Sequence, residues 1–340
     1  MRSAKMPEAA RAAATAAAAA AALALLLWSA LGGGGVPSAG AASPAAGVAL
    51  GSAPVRRVFV VGCGHSGTSL LHRSVGNLPG VRCVPAESRL FHVDAGGGDA
   101  ARAAALAEWD AAARAGGFAA WVEKTPRHVH HMDEILGADA ARSANNTRFL
   151  FIHRDGRDVA LSLRARGYSW EKSVGRWVED NEAALPWLDA GAALPVAFAE
   201  LTSAAGVLGA LRRVAAFLDI EASEERLAAA LFPGTRPLGA REGCTAYGSD
   251  AEKAADLARS VVGVLAGRVG VAGADEAPEQ RGIEAHNEFR TWQMQQVWAE
   301  IPAADDARRA WTREQAAYFW GRDDVRRLMA RFGYGDDEGA

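Results

Sequence analysis

Val58-Phe59-Val60-Val61-Gly62-Cys63-Gly64-His65-Ser66-Gly67-Thr68-Ser69-Leu70-Leu71 passes from an unbroken apolar run into a glycine-rich turn and then into a segment with helical spacing. The short apolar run reads as a buried β-strand. The glycines let the backbone approach a ligand closely, and the helix N-terminus offers unpaired N–H groups and the positive end of a dipole. Together they make an anion site of the phosphate type. The nucleoside-triphosphate loop GxxxxGK[ST] sets a Lys against the β- and γ-phosphates. Here the spacing from Gly62 to Gly67 fits, but Thr68 stands where that Lys belongs. The loop is suited to a phosphate-like group other than an ATP tail.

Outward from this stretch, residues 121–122, 149–152 and 196–198 read as further buried strands, and 81–84 as a weaker one. Residues 100–115, 126–136, 157–165, 170–188 and 206–218 carry helical spacing. Alternating strands and helices predict an α/β, three-layer, P-loop-like fold. It has a central parallel sheet of about five strands, helices on both faces and ligands at the strands' carboxyl ends. Residues 239–282 have mixed signals and read as a long substrate loop. Residues 285–333 read as a helical C-terminal part whose Trp292, Trp298, Trp311 and Trp320 serve packing.

The chain has 340 residues, a formal net charge of −3, 50% hydrophobic and 23% charged residues, which suits one sizeable domain. Near-neutral charge argues against nucleic-acid binding through a broad basic surface. The three cysteines, Cys63, Cys83 and Cys244, are too few for a disulfide framework and match no zinc spacing, so no metal is expected. Cys63 and Cys83 are close enough in sequence to pair.

Arg2, Lys5 and Arg11 precede a run without charge over residues 12–31. At about 1.5 Å per residue this run could cross a roughly 30 Å hydrocarbon core, with the basic residues on the cytoplasmic side. Residues 1–31 therefore read as a signal anchor, residues 32–54 as a low-complexity stalk and residues 55–335 as the folded domain. A cleaved signal peptide with small residues such as Ala39 and Ala41, or an organelle transit peptide, are the alternatives. The sequon at Asn145 fits the secretory route.

A second segment, Arg154-Asp155-Gly156-Arg157-Asp158-Val159-Ala160-Leu161-Ser162-Leu163, follows the strand at 149–152. Arg154 can make a forked contact to a phosphate and Ser162 can add a hydroxyl, while a salt bridge from Arg154 to Asp155 or Asp158 is the plainer alternative. His153-Arg154-Asp155 imitates a kinase catalytic loop, but the required Asn is Ala160 and no DFG follows.

Together the two segments resemble the nucleotide motifs of the sulfotransferase superfamily, which uses 3′-phosphoadenosine 5′-phosphosulfate (PAPS). The first family motif, R/K-SGT[ST], reads His65-Ser66-Gly67-Thr68-Ser69 here, and the second, RDPRDVxxS, reads RDGRDVALS. Arg82-Cys83-Val84-Pro85-Ala86-Glu87-Ser88-Arg89 is similar to the segment bearing the catalytic Glu of tyrosylprotein sulfotransferases. Glu123-Lys124-Thr125-Pro126 resembles the family's Lys-bearing strand end. Residues 196–201 and 214–220 resemble its "RYEDL…FLGL" stretch, and fainter echoes lie at 290–296 and 332–334. The usual loop Lys or Arg is His65, the glycine-rich C-terminal nucleotide motif is not recognisable, and 262–270 is a loose substitute.

The resemblance implies a PAPS-dependent O-sulfotransferase of the membrane-bound Golgi type, its domain luminal and its acceptor a glycan, tyrosyl-protein or small-metabolite hydroxyl. It implies that Gly64, His65, Ser66, Gly67, Thr68 and Ser69 hold the phosphosulfate and that Arg154 and Ser162 hold the 3′-phosphate. Lys124 and His65 would meet developing charge, and Glu87 would be the general base unless His65 takes that part. Glu87 as a partner of Arg89, and Lys124 as a surface residue at a turn, are the plainer alternatives. A P-loop kinase or NTPase, or a non-catalytic binder of PAPS or its product 3′,5′-adenosine bisphosphate (PAP), are the other function classes. The missing P-loop Lys argues against the first, and Lys124 and Glu87 would be unexplained in the second.

Overall fold

Six of the seven residues of strand β1, Arg56–Gly62, are buried, because the strand has a neighbour on each side and helices on both faces. The computed structural model describes residues 54–84, 87–92, 98–140, 146–203, 205–224, 227 and 311–335. After β1 come α1 (Thr68–Gly76), β2 (Val81–Cys83), α2 (Asp99–Ala115) and β3 (Ala120–Lys124). A 3₁₀ turn over Pro126–His131 then leads into α3 (Met132–Ala140). Next are β4 (Thr147–His153), α4 (Gly156–Ala165), α5 (Trp170–Glu182), α6 (Leu185–Asp189), β5 (Ala193–Ala197), α7 (Phe198–Thr202) and α8 (Val207–Phe217). Two C-terminal helices, α9 (Arg313–Trp320) and α10 (Asp323–Arg331), complete the described chain.

The sheet is five-stranded in the order β2-β3-β1-β4-β5, and every pair is parallel. Alternation along β1 divides the core in two. Val58 and Val60 pack with Leu71 and Val75 of α1 and Leu211 and Val214 of α8. Phe59 and Val61 pack on the other face with Leu106 of α2 and Ile135 of α3. Each such side chain, fully buried, contributes about 1.5–3 kcal/mol. A third cluster joins α4, α5, α9 and α10, where Trp170 meets Trp311 edge-to-face at 4.7 Å. Trp311 and Trp320 pack against this cluster, whereas Trp292 and Trp298 lie outside the described residues.

Three boundaries differ from the sequence reading. The span 170–188 is two helices, with a turn at Ala183–Ala184 just before Pro186, which has no N–H to continue a helix. The span 126–136 opens as a 3₁₀ turn. Strand β5 stops at Ala197 because Glu200 Oε2 accepts the Ala197 N–H at 3.1 Å and starts α7 at Phe198. Cys63 is free and buried, so it does not pair with Cys83. Residues 1–53, Asn145, Cys244 and the spans 239–282 and 290–296 lie outside the described residues. Among the described residues no helix is long and apolar enough to cross a membrane.

Candidate functional site

Parallel pairing brings the carboxyl ends of three strands to one edge. Val60 of β1 is in register with Lys124 of β3, and Gly62 with Ile152 of β4. The loop from Cys63 to Gly67 rises between them. Its shape needs glycine at two points. A Cβ on Gly62, at φ 141°, would stand 2.5 Å from Ile152 O, and one on Gly67, at φ 93°, would stand 2.4 Å from the Phe198 ring. His65 sits at φ 73°, a left-handed conformation that costs a non-glycine residue roughly 1–2 kcal/mol and collects at functional sites. Ser66 is fully buried and its hydroxyl has no hydrogen-bond partner. An orphaned donor inside a loop of this type fits an anion that the loop would enclose.

On the β4 side the two motif segments meet. His65 Nδ1 lies 2.8 Å from Ser162 Oγ on α4, and Arg154 Nη1 donates to His65 O at 3.4 Å. The Arg154 guanidinium also lies 4.3 Å from the centre of the Phe198 ring, and Nε reaches Asp158 Oδ2 at 3.4 Å. Its carbonyl accepts the Trp177 indole N–H at 3.1 Å. Asp155 instead caps α4 through the Arg157 N–H and pairs with the Arg157 guanidinium at 2.7 Å. Behind them His153 stacks on Phe332 at 4.5 Å, with Nδ1 2.9 Å from the Tyr334 hydroxyl. The faint resemblance at 332–334 is thus a segment that docks on the end of β4. Burial holds the His153 imidazole down to about 4 and pushes the Tyr334 phenol up.

Because Phe198 packs on Gly67 and under Arg154, Gly67→Ala is expected to displace the ring and the guanidinium with it. Overpacking and the unfavourable φ together should cost about 2–4 kcal/mol of stability. Chemical denaturation of wild type and variant checks this, and an unchanged midpoint refutes it.

On the β3 side, Lys124 Nζ donates to Glu87 Oε1; the lysine side chain is 9% exposed and the glutamate 32%. Lys124 is therefore not a surface residue at a turn, and Glu87 is engaged with it. The adjacent Glu123 points to the opposite face of β3 and is fully buried. Its Oε1 accepts from Ser88 N at 3.1 Å, Ser88 Oγ at 2.9 Å and Thr125 Oγ1 at 2.6 Å. Its Oε2 lies 3.2 Å from His128 Nδ1. The Phe91 N–H donates to His128 Nε2 at 3.4 Å, which leaves the ring proton on Nδ1, facing the carboxylate. The Arg89 N–H goes to Thr125 Oγ1 at 3.2 Å. Glu87 and Ser88 thus grip the end of β3 from its two faces, and Glu123, Thr125 and His128 hold the segment that carries Glu87. Burial pushes the Glu123 carboxyl up, but the facing His128 ring and the bonds from Thr125 and Ser88 outweigh it and leave it below the usual range.

The sequence singles out Lys124, reads His128 as a surface or packing residue, and gives no role to Glu123, Thr125 and Ser88. The adjacency Glu123-Lys124-Thr125 was the available signal, since consecutive strand residues serve opposite faces. Gly64, Thr68 and Ser69 lie on the loop and the first turn of α1, as their positions predicted. Among the described residues no group of three or more His, Cys, Asp or Glu could hold a metal ion.

No family model matches the chain, and no curated protein matches it. Solved structures of similar shape include the sulfotransferase domain of the Synechococcus PCC 7002 olefin synthase. It is 16% identical with a TM-score of 0.49, over 83% of this chain and 96% of that one. The sulfotransferase domain from the curacin biosynthetic pathway is 12% identical with a TM-score of 0.45, over 83% and 99%. Mouse sulfotransferase SULT7A1, solved with PAP, is 14% identical with a TM-score of 0.40, over 81% and 88%.

Proposed function

We propose that this protein is a sulfotransferase that moves a sulfuryl group from PAPS to a hydroxyl acceptor. The observation that carries the reading is the meeting of two phosphate-type segments across β1 and β4, Ser162 with His65 and Arg154 with the His65 carbonyl, beside the orphaned Ser66 hydroxyl. In this reading Ser66, Gly67, Thr68 and Ser69 hold the 5′-phosphosulfate. Arg154 and Ser162 hold the 3′-phosphate, with His65 bridging the two sides. Glu87 takes the acceptor proton as the acceptor oxygen bonds to sulfur, and the bond from sulfur to the bridging oxygen breaks. The charge then left on PAP is met by Lys124 and the loop N–H groups. Consistent with the resemblance, the N-terminal run would hold the domain in a secretory compartment.

Calorimetry with PAP, ATP and 5′-AMP tests the nucleotide assignment, with Arg154→Ala as the diagnostic variant. PAP should bind tightest, and the variant should lose about 10–100-fold in PAP affinity, the worth of a charge-assisted contact. Equal affinity for ATP and PAP would refute the assignment.

A further inference from the structure

Beside the loop, three basic side chains converge on one carboxylate. Asp180 of α5 is fully buried. Its Oδ1 lies 2.6 Å from His130 Nε2 and 3.7 Å from Arg127 Nε, both from the 3₁₀ turn that follows Lys124. Its Oδ2 lies 3.6 Å from Arg176 Nε, too far for a hydrogen bond, and both of these buried atoms are without a hydrogen-bond partner. Arg176 Nη2 stands 3.3 Å from where a Gly64 Cβ would be, so the guanidinium lies directly against the anion loop. The neighbouring thiol of Cys63 reports the same crowding: burial raises it first, Asp180 adds to the rise, and Arg176 and Arg127 oppose it.

Two guanidiniums share one carboxylate, a surplus of one positive charge. Glu134, just after the turn, pairs with His131 at 2.8 Å and Arg102 at 2.9 Å, and Glu87 pairs with Lys124, just before it. Arg127 keeps nearly half its side chain exposed, and Arg176 and His130 about a quarter each. Such a surplus at the carboxyl edge of the sheet, next to the Lys124 strand end, attracts an anion that enters from solvent.

Resting on the sulfotransferase reading, we infer that Arg127 and Arg176, braced by Asp180, recognise a carboxylate on the acceptor, so that the substrate is an acidic hydroxyl compound rather than a neutral alcohol. No run of basic sequence announces this surface, because its members come from the 3₁₀ turn and α5 and meet only in the fold. Arg127 and Arg176 are binding residues for the acceptor, while Asp180 positions them.

The test is calorimetric, on the full chain saturated with PAP. The probes are two matched pairs that differ in one carboxylate: N-acetyltyrosine against N-acetyltyrosinamide, and methyl glucuronide against methyl glucoside. The acidic member of at least one pair should bind about tenfold tighter, and added salt should erode that margin. The double variant Arg127→Gln/Arg176→Gln should bind both members alike while holding PAP within about twofold of wild type. Equal binding within both pairs, or no binding by any probe, overturns the inference. So does a double variant that loses PAP affinity, since Arg176 would then belong to the nucleotide. PAP binding is measured first; its failure in the wild type sinks the nucleotide assignment and the acceptor inference with it.

Discussion

Lys124→Met should lower sulfuryl transfer in a single turnover by about 10²–10³-fold, the usual cost of removing one preorganised group from developing charge. PAP affinity should stay within about threefold. Methionine matches the length of the lysine stem in a site only 9% exposed, so packing is kept while the ammonium is lost. Glu87, about a third exposed, can be solvated once its partner is gone and should not unfold the strand end. Lys124→Arg is the informative control. It keeps the charge but replaces a compact ammonium with a planar fork, and should recover only part of the rate. Transfer that is unaffected in Lys124→Met would remove Lys124 from the chemistry and leave it a structural partner of Glu87.

Glu123→Ala should destabilise the fold by about 3–5 kcal/mol, because it takes the acceptor from the half-buried Ser88 N and Ser88 Oγ and from the buried Thr125 hydroxyl. It should also release the segment that carries Glu87, so transfer falls more than PAP affinity does. Acidification gives an independent signature. Burial, aided at His72 by the Lys124 charge, holds both His72 and His153 near 4, below the ordinary 6.5. The fold keeps these two neutral and the unfolded chain protonates them more readily. Their contribution is therefore complete above pH 6.5 and is lost as pH falls towards 4. Glu123 lies below its ordinary 4.5, so its contribution is present above 4.5 and is lost as pH falls through its folded value. Denaturant midpoints against pH should decline in wild type from about 6.5 downward, and Glu123→Ala should lack the component below 4.5 while keeping a decline that begins near 6.5. A variant that loses the upper component instead would refute this division.

What was legible in the sequence is what local pattern encodes. β1 and β4 stand out as continuous apolar runs because both of their faces are covered, and the anion loop stands out because its glycines and hydroxyls are contiguous. Arg154 and Ser162 were found by their spacing within one segment. The Glu123 clamp was not found, since it requires knowing that residues 87–92 return across β3 to meet side chains of opposite faces. Arg176 and Asp180 are an ordinary i,i+4 pair on α5 until that helix is docked against Gly64. Helix breaks at Pro186 and a 3₁₀ turn after Thr125 escaped because helical spacing continues through both.

With β1 lying between β3 and β4, the residues that face the loop are far apart along the chain. Glu87 and Lys124 are 37 positions apart, His65 and Arg154 89, and His65 and Ser162 97. No short fragment brings the loop together with Glu87, Lys124, Arg154 and Ser162, and parallel pairing of this kind forms only after large loops have closed. Nucleotide affinity should therefore emerge late in refolding, together with the last strand pairing, and a PAP-binding signal would serve as a clock for completion of the sheet rather than for collapse of the chain.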